Sequence, residues 1–381
     1  MAICSKCIVP DSYPNVKIQN GECSFCQSNS KILGNKSKTN QDKILQSTLE
    51  LGKEEKYNCI VPISGGKDSS YILYYLVKKM GLNPLAVYFD SGFATEEAKN
   101  NVKGICEKLN VDLVIKYASP YRRKIVQHAW KVSYYTGRVG SYCTNCENNI
   151  RTVAINEAKK QGTKYIIWGS TDYEDSASSL LKPSASHFRD EFASFKLIRK
   201  QMYSTLISIG KIILRDKISV KSKVSALFHY MMFLKNMVLD NIKLNAPGGF
   251  YKFTPYLQVS FRNKKTETLY FYDYIPYDPF YQIKILEENV GWKAPADREA
   301  KMDCLLHDFS NFTCLKRTGL TDSGFKLAVL ARNDMISRDE ALKKEKKEIE
   351  FLKNYFQSED LDIRPALDVM KKIIFNGVSN C

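Results

Sequence analysis

Nowhere does the 381-residue sequence hold the roughly 18 consecutive apolar residues that a membrane-spanning helix needs. The opening Met-Ala-Ile-Cys-Ser-Lys-Cys also lacks the basic start, apolar stretch and small-residue cleavage site of a secretory signal. The expectation is a cytoplasmic protein without a membrane span. No internal repeat of roughly 20 to 50 residues is evident. Acidic side chains are in deficit, 41 against 57 basic ones, for a formal charge of +16. Polyanionic partners therefore fit: RNA, phosphorylated or nucleotide-linked substrates, or an anionic membrane surface. The deficit is concentrated in residues 187–245, where eleven Lys and Arg face four Asp and Glu. Hydrophobic residues are not scarce, and at 44% they can fill a full core, which excludes global disorder.

Six of the eleven cysteines fall into Cys-x-x-Cys pairs. In a reducing compartment such pairs hold metal more often than they form structural disulfides. Cys4-x-x-Cys7 and Cys23-x-x-Cys26 are fifteen residues apart, the spacing of a four-thiolate zinc site in a ribbon or knuckle. The turn formers Pro10-Asp11, Pro14-Asn15 and Asn20-Gly21 leave residues 1–30 no room for a core of their own, so metal is expected to fold them. Such a site is closed and serves as scaffold. Residues 31–56 read as a polar linker and a helix, near Gln41 to Lys53.

From Tyr57 the chain alternates between short apolar runs and helical spacing, which predicts a doubly wound parallel sheet over 57–180. Strands are expected before Ser64, at Pro84–Asp90, Val111–Tyr117 and Tyr165–Trp168, and helices at Thr95–Leu109, Tyr121–Tyr135 and Asn149–Gln161. A basic helical insert at 181–250 follows, with helices near Gln201–Arg215 and Ser225–Leu244, and then a C-terminal substrate and helical region at 251–381. There Ser337-Arg-Asp-Glu340 reads as a capping box opening a charged helix to about Phe356.

Ser64-Gly65-Gly66-Lys67-Asp68-Ser69-Ser70 sits between a buried strand and a helix. Adjacent glycines let the backbone approach a phosphate, and the helix start aims unsatisfied N–H groups and the positive dipole end at it. The serines add hydroxyl donors and Lys67 adds charge. The spacing is not that of a Walker A loop, whose glycines are separated by four residues. Asp90, at the end of the second strand, and Gly169, Ser170 and Asp172, after a later one, fall where open α/β sheets bind ligands; Asp90 reads equally well as a turn residue.

Ser64-Gly-Gly-Lys-Asp-Ser69 resembles the Ser-Gly-Gly-x-Asp-Ser signature of the PP-loop ATP pyrophosphatases, which include tRNA thiolases, asparagine and GMP synthetases and queuosine-precursor synthases. The resemblance implies a domain of adenine nucleotide α-hydrolase type. Its loop would hold the β- and γ-phosphates of ATP with Mg²⁺, Asp68 would support the metal–pyrophosphate complex, and a substrate carbonyl oxygen would attack the α-phosphate.

Within that superfamily, Cys4-Ser-Lys-Cys7-Ile-Val-Pro-Asp-Ser-Tyr-Pro, Gly21-Glu-Cys23-Ser-Phe-Cys26, Gly291-Trp-Lys-Ala-Pro295 and Ser337-Arg-Asp-Glu-Ala-Leu342 are similar to the N-acetyl sugar amidotransferases of surface-polysaccharide biosynthesis. That likeness implies a nucleotide-linked N-acetyl sugar as acceptor, conversion of its acetamido group to an acetamidino group, and ammonia from a separate glutaminase and channel-forming partner. The chain departs from the family at Cys143-x-x-Cys146 and in the basic insert. In thiolating PP-loop enzymes a central pair plus a distant cysteine holds a three-thiolate [4Fe–4S] cluster, and Cys143, Cys146 and Cys304 are similar in arrangement. A second zinc site, a redox pair and plain structural cysteines stand beside that reading. Cys59 and Cys106 read as core. Sulfur transfer to tRNA or to a small molecule is the alternative activity. The insert admits an anionic membrane surface, RNA phosphates or an ordinary helical subdomain. A zinc-ribbon nucleic-acid-binding protein with a degenerate nucleotide site is the non-enzymatic alternative; against it, every position of the loop signature is filled.

Overall fold

The computed structural model describes residues 2–14, 16–27, 41–50, 56–136, 143–171, 218–244, 266–293 and 303–376, with short helical pieces between 206 and 214. The chain opens on a hairpin, β1 (Ile18–Gln19) and β2 (Glu22–Cys23), paired antiparallel with Ile18 opposite Cys23. Its two-residue turn is Asn20-Gly21, with φ of 51° and 81°, the left-handed pair that a tight hairpin demands. A short helical turn α1 (Ser24–Gln27) follows, then α2 (Gln41–Glu50).

The main sheet comprises β3 (Cys59–Ile63), β4 (Pro84–Asp90), β5 (Leu113–Tyr117), β6 (Tyr165–Trp168) and β7 (Glu267–Tyr270), in the order β5-β4-β3-β6-β7 with every pairing parallel. Alternation along the strands splits the core between two faces. Cys59, Val61, Ile63, Ala86, Tyr88 and Ile167 face one side, against α3 (Lys67–Tyr74) and α4 (Glu96–Leu109). Ile60, Leu85, Val87, Phe89 and Ile166 face the other, against Val153, Ala154 and Ala158 of α6 (Cys143–Gln161). α3 runs on into a π-helical turn, Tyr75–Lys79. Between β5 and α6 lies α5 (Pro120–Thr136), which packs on α7 (Val220–Lys243) from the basic segment.

After β7 come α8 (Pro279–Val290), α9 (His307–Thr318), α10 (Asp322–Arg332), α11 (Arg338–Tyr355) and α12 (Ile363–Asn376). Phe309, Phe312, Phe356, Leu367 and Met370 join Trp130 of α5 and Phe233 of α7 in a second, helical core. The expected capping box is present: Ser337 Oγ accepts from Glu340 N at 3.1 Å at the start of α11.

Two elements differ from expectation. α6 starts at Cys143, six residues before the expected Asn149, so Cys143-x-x-Cys146 lies inside the first turn of the helix. β7 was not anticipated, because Glu-Thr-Leu-Tyr carries little apolar signal: an edge strand with one paired side needs less of it. The N-terminal segment also does not stand apart. Ile8, Val9, Tyr13 and Val16 are buried in the same core as α10, where Tyr13 stacks on Phe325 at 4.8 Å. Its core is borrowed from the C-terminal helices, which short-range sequence cannot reveal.

Candidate nucleotide site and cysteine centre

β3 and β6 are neighbours at the point where the strand order reverses, the position that receives ligands in open α/β sheets. The Ser64–Ser70 loop leaves β3 there, and Gly169 and Ser170 leave β6, half-buried. Gly65 has φ +83°, and a Cβ on it would run into the backbone carbonyl of Ala98. Glycine is required on both counts.

The loop is tied internally. Ser64 N donates to Ser69 Oγ (3.2 Å), Gly66 N to Ser64 Oγ (3.3 Å) and Ser69 Oγ to Gly66 O (3.3 Å). Gly66 is the N-cap of α3, and no side chain among the described residues caps it, so the helix start remains available to an anion. Lys67 Nζ donates to both carboxylate oxygens of Asp68, at 2.7 and 2.8 Å, and to the Tyr277 hydroxyl at 2.9 Å. The ammonium is thus held at the mouth of the loop, neutralised by Asp68. Ser70 is fully buried on the core side of α3.

Distant residues hold this loop, and sequence reasoning assigned them no role in it. Trp292 Nε1 donates to Gly65 O at 2.8 Å, Asn101 Nδ2 to the same carbonyl at 3.4 Å, and the Tyr272 hydroxyl to Asp68 O at 3.3 Å. Asp303 brings a carboxylate to 3.8 Å from where a Gly66 Cβ would stand. Their only sequence signal was the Gly291-Trp-Lys segment and the aromatic density of 270–281.

Asp90 Oδ1 accepts from Gly92 N at 2.8 Å, closing the turn after β4. The Tyr88 hydroxyl is raised well above the usual phenol range, first by burial and then by Asp90, Asp303, Cys146 and Cys304. One phenol therefore feels two carboxylates and two of the cysteines singled out in the sequence. Cys146 and Cys304 are both half-buried, and the Cys304 backbone bridges to Ala94. The Cys143 side chain and Asp172 lie outside the described residues.

The N-terminal cysteines converge. The sulfurs of Cys4, Cys7, Cys23 and Cys26 all lie within 4.8 Å of one another, with Cys4–Cys26 at 3.8 Å and Cys7–Cys23 at 3.6 Å. Tetrahedral zinc–thiolate bonds of about 2.3 Å place sulfurs just under about 4 Å apart, so the donor set fits a four-coordinate metal. Backbone amides support it: Cys23 N donates to Cys4 Sγ at 3.2 Å and Cys7 N to the same sulfur at 3.5 Å. Hydrogen bonds from Cys26 and Cys7 hold the Cys23 thiol well below the usual range, while the Cys26 thiol is pushed up, chiefly by that same bond. A bound metal would replace those shared protons. Arg338 Nε donates to the carbonyls of Cys4 (2.9 Å) and Cys7 (3.1 Å), and Ser12 Oγ donates to Thr318 O (2.7 Å). The centre is closed on all sides, with each of its cysteines at most 3% exposed, which leaves no position for a reacting group.

Residues 57–227 match the family model described as the tRNA methyl transferase HUP domain. An uncharacterised protein of Methanocaldococcus jannaschii is 34% identical over 134 residues, covering 35% of this chain and 45% of that protein. A tRNA(Ile)-lysidine synthase of Borreliella burgdorferi is 21% identical over 49% of this chain and 42% of its own length. A tRNA-specific 2-thiouridylase of Clostridium botulinum is 21% identical over 41% of this chain and 47% of its own. The chain spans less than half the length of these relatives. Among solved structures, an NH3-dependent NAD synthetase from Campylobacter jejuni aligns with a TM-score of 0.27 and 12% identity, covering 51% of this chain and 94% of that one. The filled loop signature and the family-model match support the PP-loop ATP pyrophosphatase superfamily for residues 57–227, on a HUP-type α/β fold.

Proposed function

We propose that the protein adenylates the acetamido oxygen of a nucleotide-linked N-acetyl sugar at the Ser64–Ser70 loop, and that ammonia then displaces AMP to give the amidine. The observation that carries this reading is the role of two distant segments. Gly291-Trp-Lys-Ala-Pro295 and Ser337-Arg-Asp-Glu-Ala-Leu342 are where the likeness to N-acetyl sugar amidotransferases, carried first by the two N-terminal cysteine runs and the loop, returns in the C-terminal half. Trp292 holds the loop carbonyl and Arg338 holds the cysteine centre. Two of the segments that share the likeness thus brace the two sites.

In this reading the free start of α3 and Lys67 bind the β- and γ-phosphates of ATP, and Asp68, released from Lys67, holds Mg²⁺. The metal supplies charge neutralisation of the leaving pyrophosphate. The acetamido oxygen attacks the α-phosphorus and the bond to pyrophosphate breaks. Ammonia then adds to the activated carbon, and AMP leaves carrying the original oxygen. Zinc in the four-cysteine centre fixes the N-terminal segment against α10 and α11 and takes no part in the chemistry. A glutaminase with an ammonia channel supplies the nitrogen.

A second reading, thiolation of tRNA or of a small molecule, is favoured by the placement of two of the singled-out cysteines by the end of β4, where Cys146 packs against the cluster that holds Phe89 and Cys304 bridges to Ala94. It is also the activity in the name of one relative, the 2-thiouridylase. Three thiolates, Cys143, Cys146 and Cys304, are the donors a [4Fe–4S] cluster would use there.

The deciding experiment gives the purified full chain Mg-ATP with either an N-acetylated nucleotide sugar plus ammonia or tRNA plus sulfide, and measures AMP and pyrophosphate. AMP formation is expected with the sugar and ammonia, and Asp68→Asn is expected to lower it by about a hundredfold or more with unchanged thermal melting. Turnover with tRNA and sulfide alone transfers the assignment to the second reading. Undiminished turnover in Asp68→Asn removes the role given to Asp68.

A further inference from the structure

α7 is apolar on two sides, and the described structure covers one of them. Its inner face carries Ala226, Tyr230, Phe233 and Met237, buried against α5 and the helical core. Asp240 completes that face: it is fully buried, accepting from Ser119 Oγ and from Asn149 Nδ2 at 2.8 Å. On the outer side Val220, Val224, Phe228 and Met231 recur every three or four residues, a single helical stripe, with exposures of 76, 62, 59 and 57%. Ile213 (47% exposed) and Leu214 (76%) continue the apolar surface just before α7, anchored by Ile212, which packs with Ala226 and Tyr230.

The charges beside this stripe have one sign. Lys221, Lys235 and Lys243 are exposed on α7, and its only acid, Asp240, is the buried one. Among the described residues no helix is long and apolar enough to cross a membrane. An apolar ridge flanked by lysines, on a helix already docked along its other face, is the pattern of an element lying in the plane of an anionic bilayer surface.

We infer that the outer face of α7 docks the protein on an anionic lipid bilayer, with Phe228 and Met231 entering the headgroup boundary and Lys221 and Lys235 pairing with lipid phosphates. A second copy of the chain is disfavoured as occupant, because self-pairing sets lysine against lysine with no acid among the described residues of this face to offset it. RNA is disfavoured because apolar side chains hold the centre of the stripe, where phosphate contacts would need cations or hydroxyls. This inference is independent of which acceptor the phosphate loop serves.

The test uses nuclease-treated full-length protein in flotation with vesicles of phosphatidylcholine alone or mixed with phosphatidylglycerol. Flotation is expected only with the anionic vesicles. It should weaken about tenfold or more in Phe228→Ser/Met231→Ser and in Lys221→Gln/Lys235→Gln, with thermal melting retained in both. Failure of the wild type to float with anionic vesicles overturns the inference. So does flotation that survives loss of Phe228 and Met231. A wild-type dimer by light scattering that Phe228→Ser/Met231→Ser dissociates gives the face to a second copy, and tRNA binding lost in the lysine variant gives it to RNA; either result also overturns it.

Discussion

The phosphate loop and the cysteine centre are both short segments braced by residues from the C-terminal half, yet they are held in opposite ways. The loop is open: its amides bond within the loop, the start of α3 has no side-chain cap among the described residues, and outside support reaches its backbone carbonyls through Trp292, Asn101 and Tyr272. The centre is closed: four buried sulfurs face one another, and Arg338 and Phe325 pack around it. A net hydrogen bond contributes about 1 kcal/mol, while a structural zinc contributes roughly 10 kcal/mol or more in small domains. A site that must admit a ligand is therefore held by many weak ties to its backbone. A site that only holds the fold can concentrate its stability in one ion.

The largest expected effect tests that concentration. Cys23→Ser, or removal of metal by a chelator, should lower the melting temperature by about 10 °C and free the N-terminal segment from α10. Differential scanning calorimetry with metal analysis reads both. A variant that melts like the wild type would mean that the packing of Tyr13 on Phe325, and not the ion, holds the segment. An intermediate effect is expected at the loop. Gly65→Ala forces a Cβ into the Ala98 carbonyl at φ +83°. ATP affinity should fall about tenfold or more while the melting temperature changes by only a few degrees. Unchanged ATP binding by calorimetry would show that the loop tolerates the shift and is not tightly preformed.

The smallest effect lies at Glu345 of α11. Glu345 accepts from Thr321 N (2.8 Å) and Thr321 Oγ (2.7 Å) at the start of α10, and burial pushes its carboxyl up to about 7 despite those bonds. The folded protein thus retains a proton that the unfolded chain releases near 4.5. By linkage, stability falls as pH rises from about 4.5 to about 7 and is level above that window. Glu345→Gln should flatten this slope, gaining roughly 2 to 3 kcal/mol at pH 8 relative to pH 5. Melting curves that stay parallel across that range would assign the slope to other groups.

Much of the framework was legible in the sequence because its signals are local. β3, the loop and α3 are contiguous, the four N-terminal cysteines carry their ligand spacing, and Ser337 and Glu340 sit at cap positions. The start of α6 was not legible, because Cys143 to Asn148 is polar and its helical state follows from the packing of Ile150, Val153 and Ala154 further along. Asp303 was equally hidden, since a lone aspartate in a polar stretch carries no signal until the chain returns it to the loop.

The sequence by itself determined an α/β sheet with a phosphate loop and a four-thiolate centre, since those depend on periodicity and on spacing within some thirty residues. Only the tertiary structure decided that Tyr277 receives Lys67, that Trp292 grips Gly65, that Cys304 returns to bridge Ala94, and that one apolar face of α7 stays outside. Those are contacts across many tens to hundreds of residues. They are set by which faces remain after the sheet and the helical core have been filled, and no local pattern encodes that remainder.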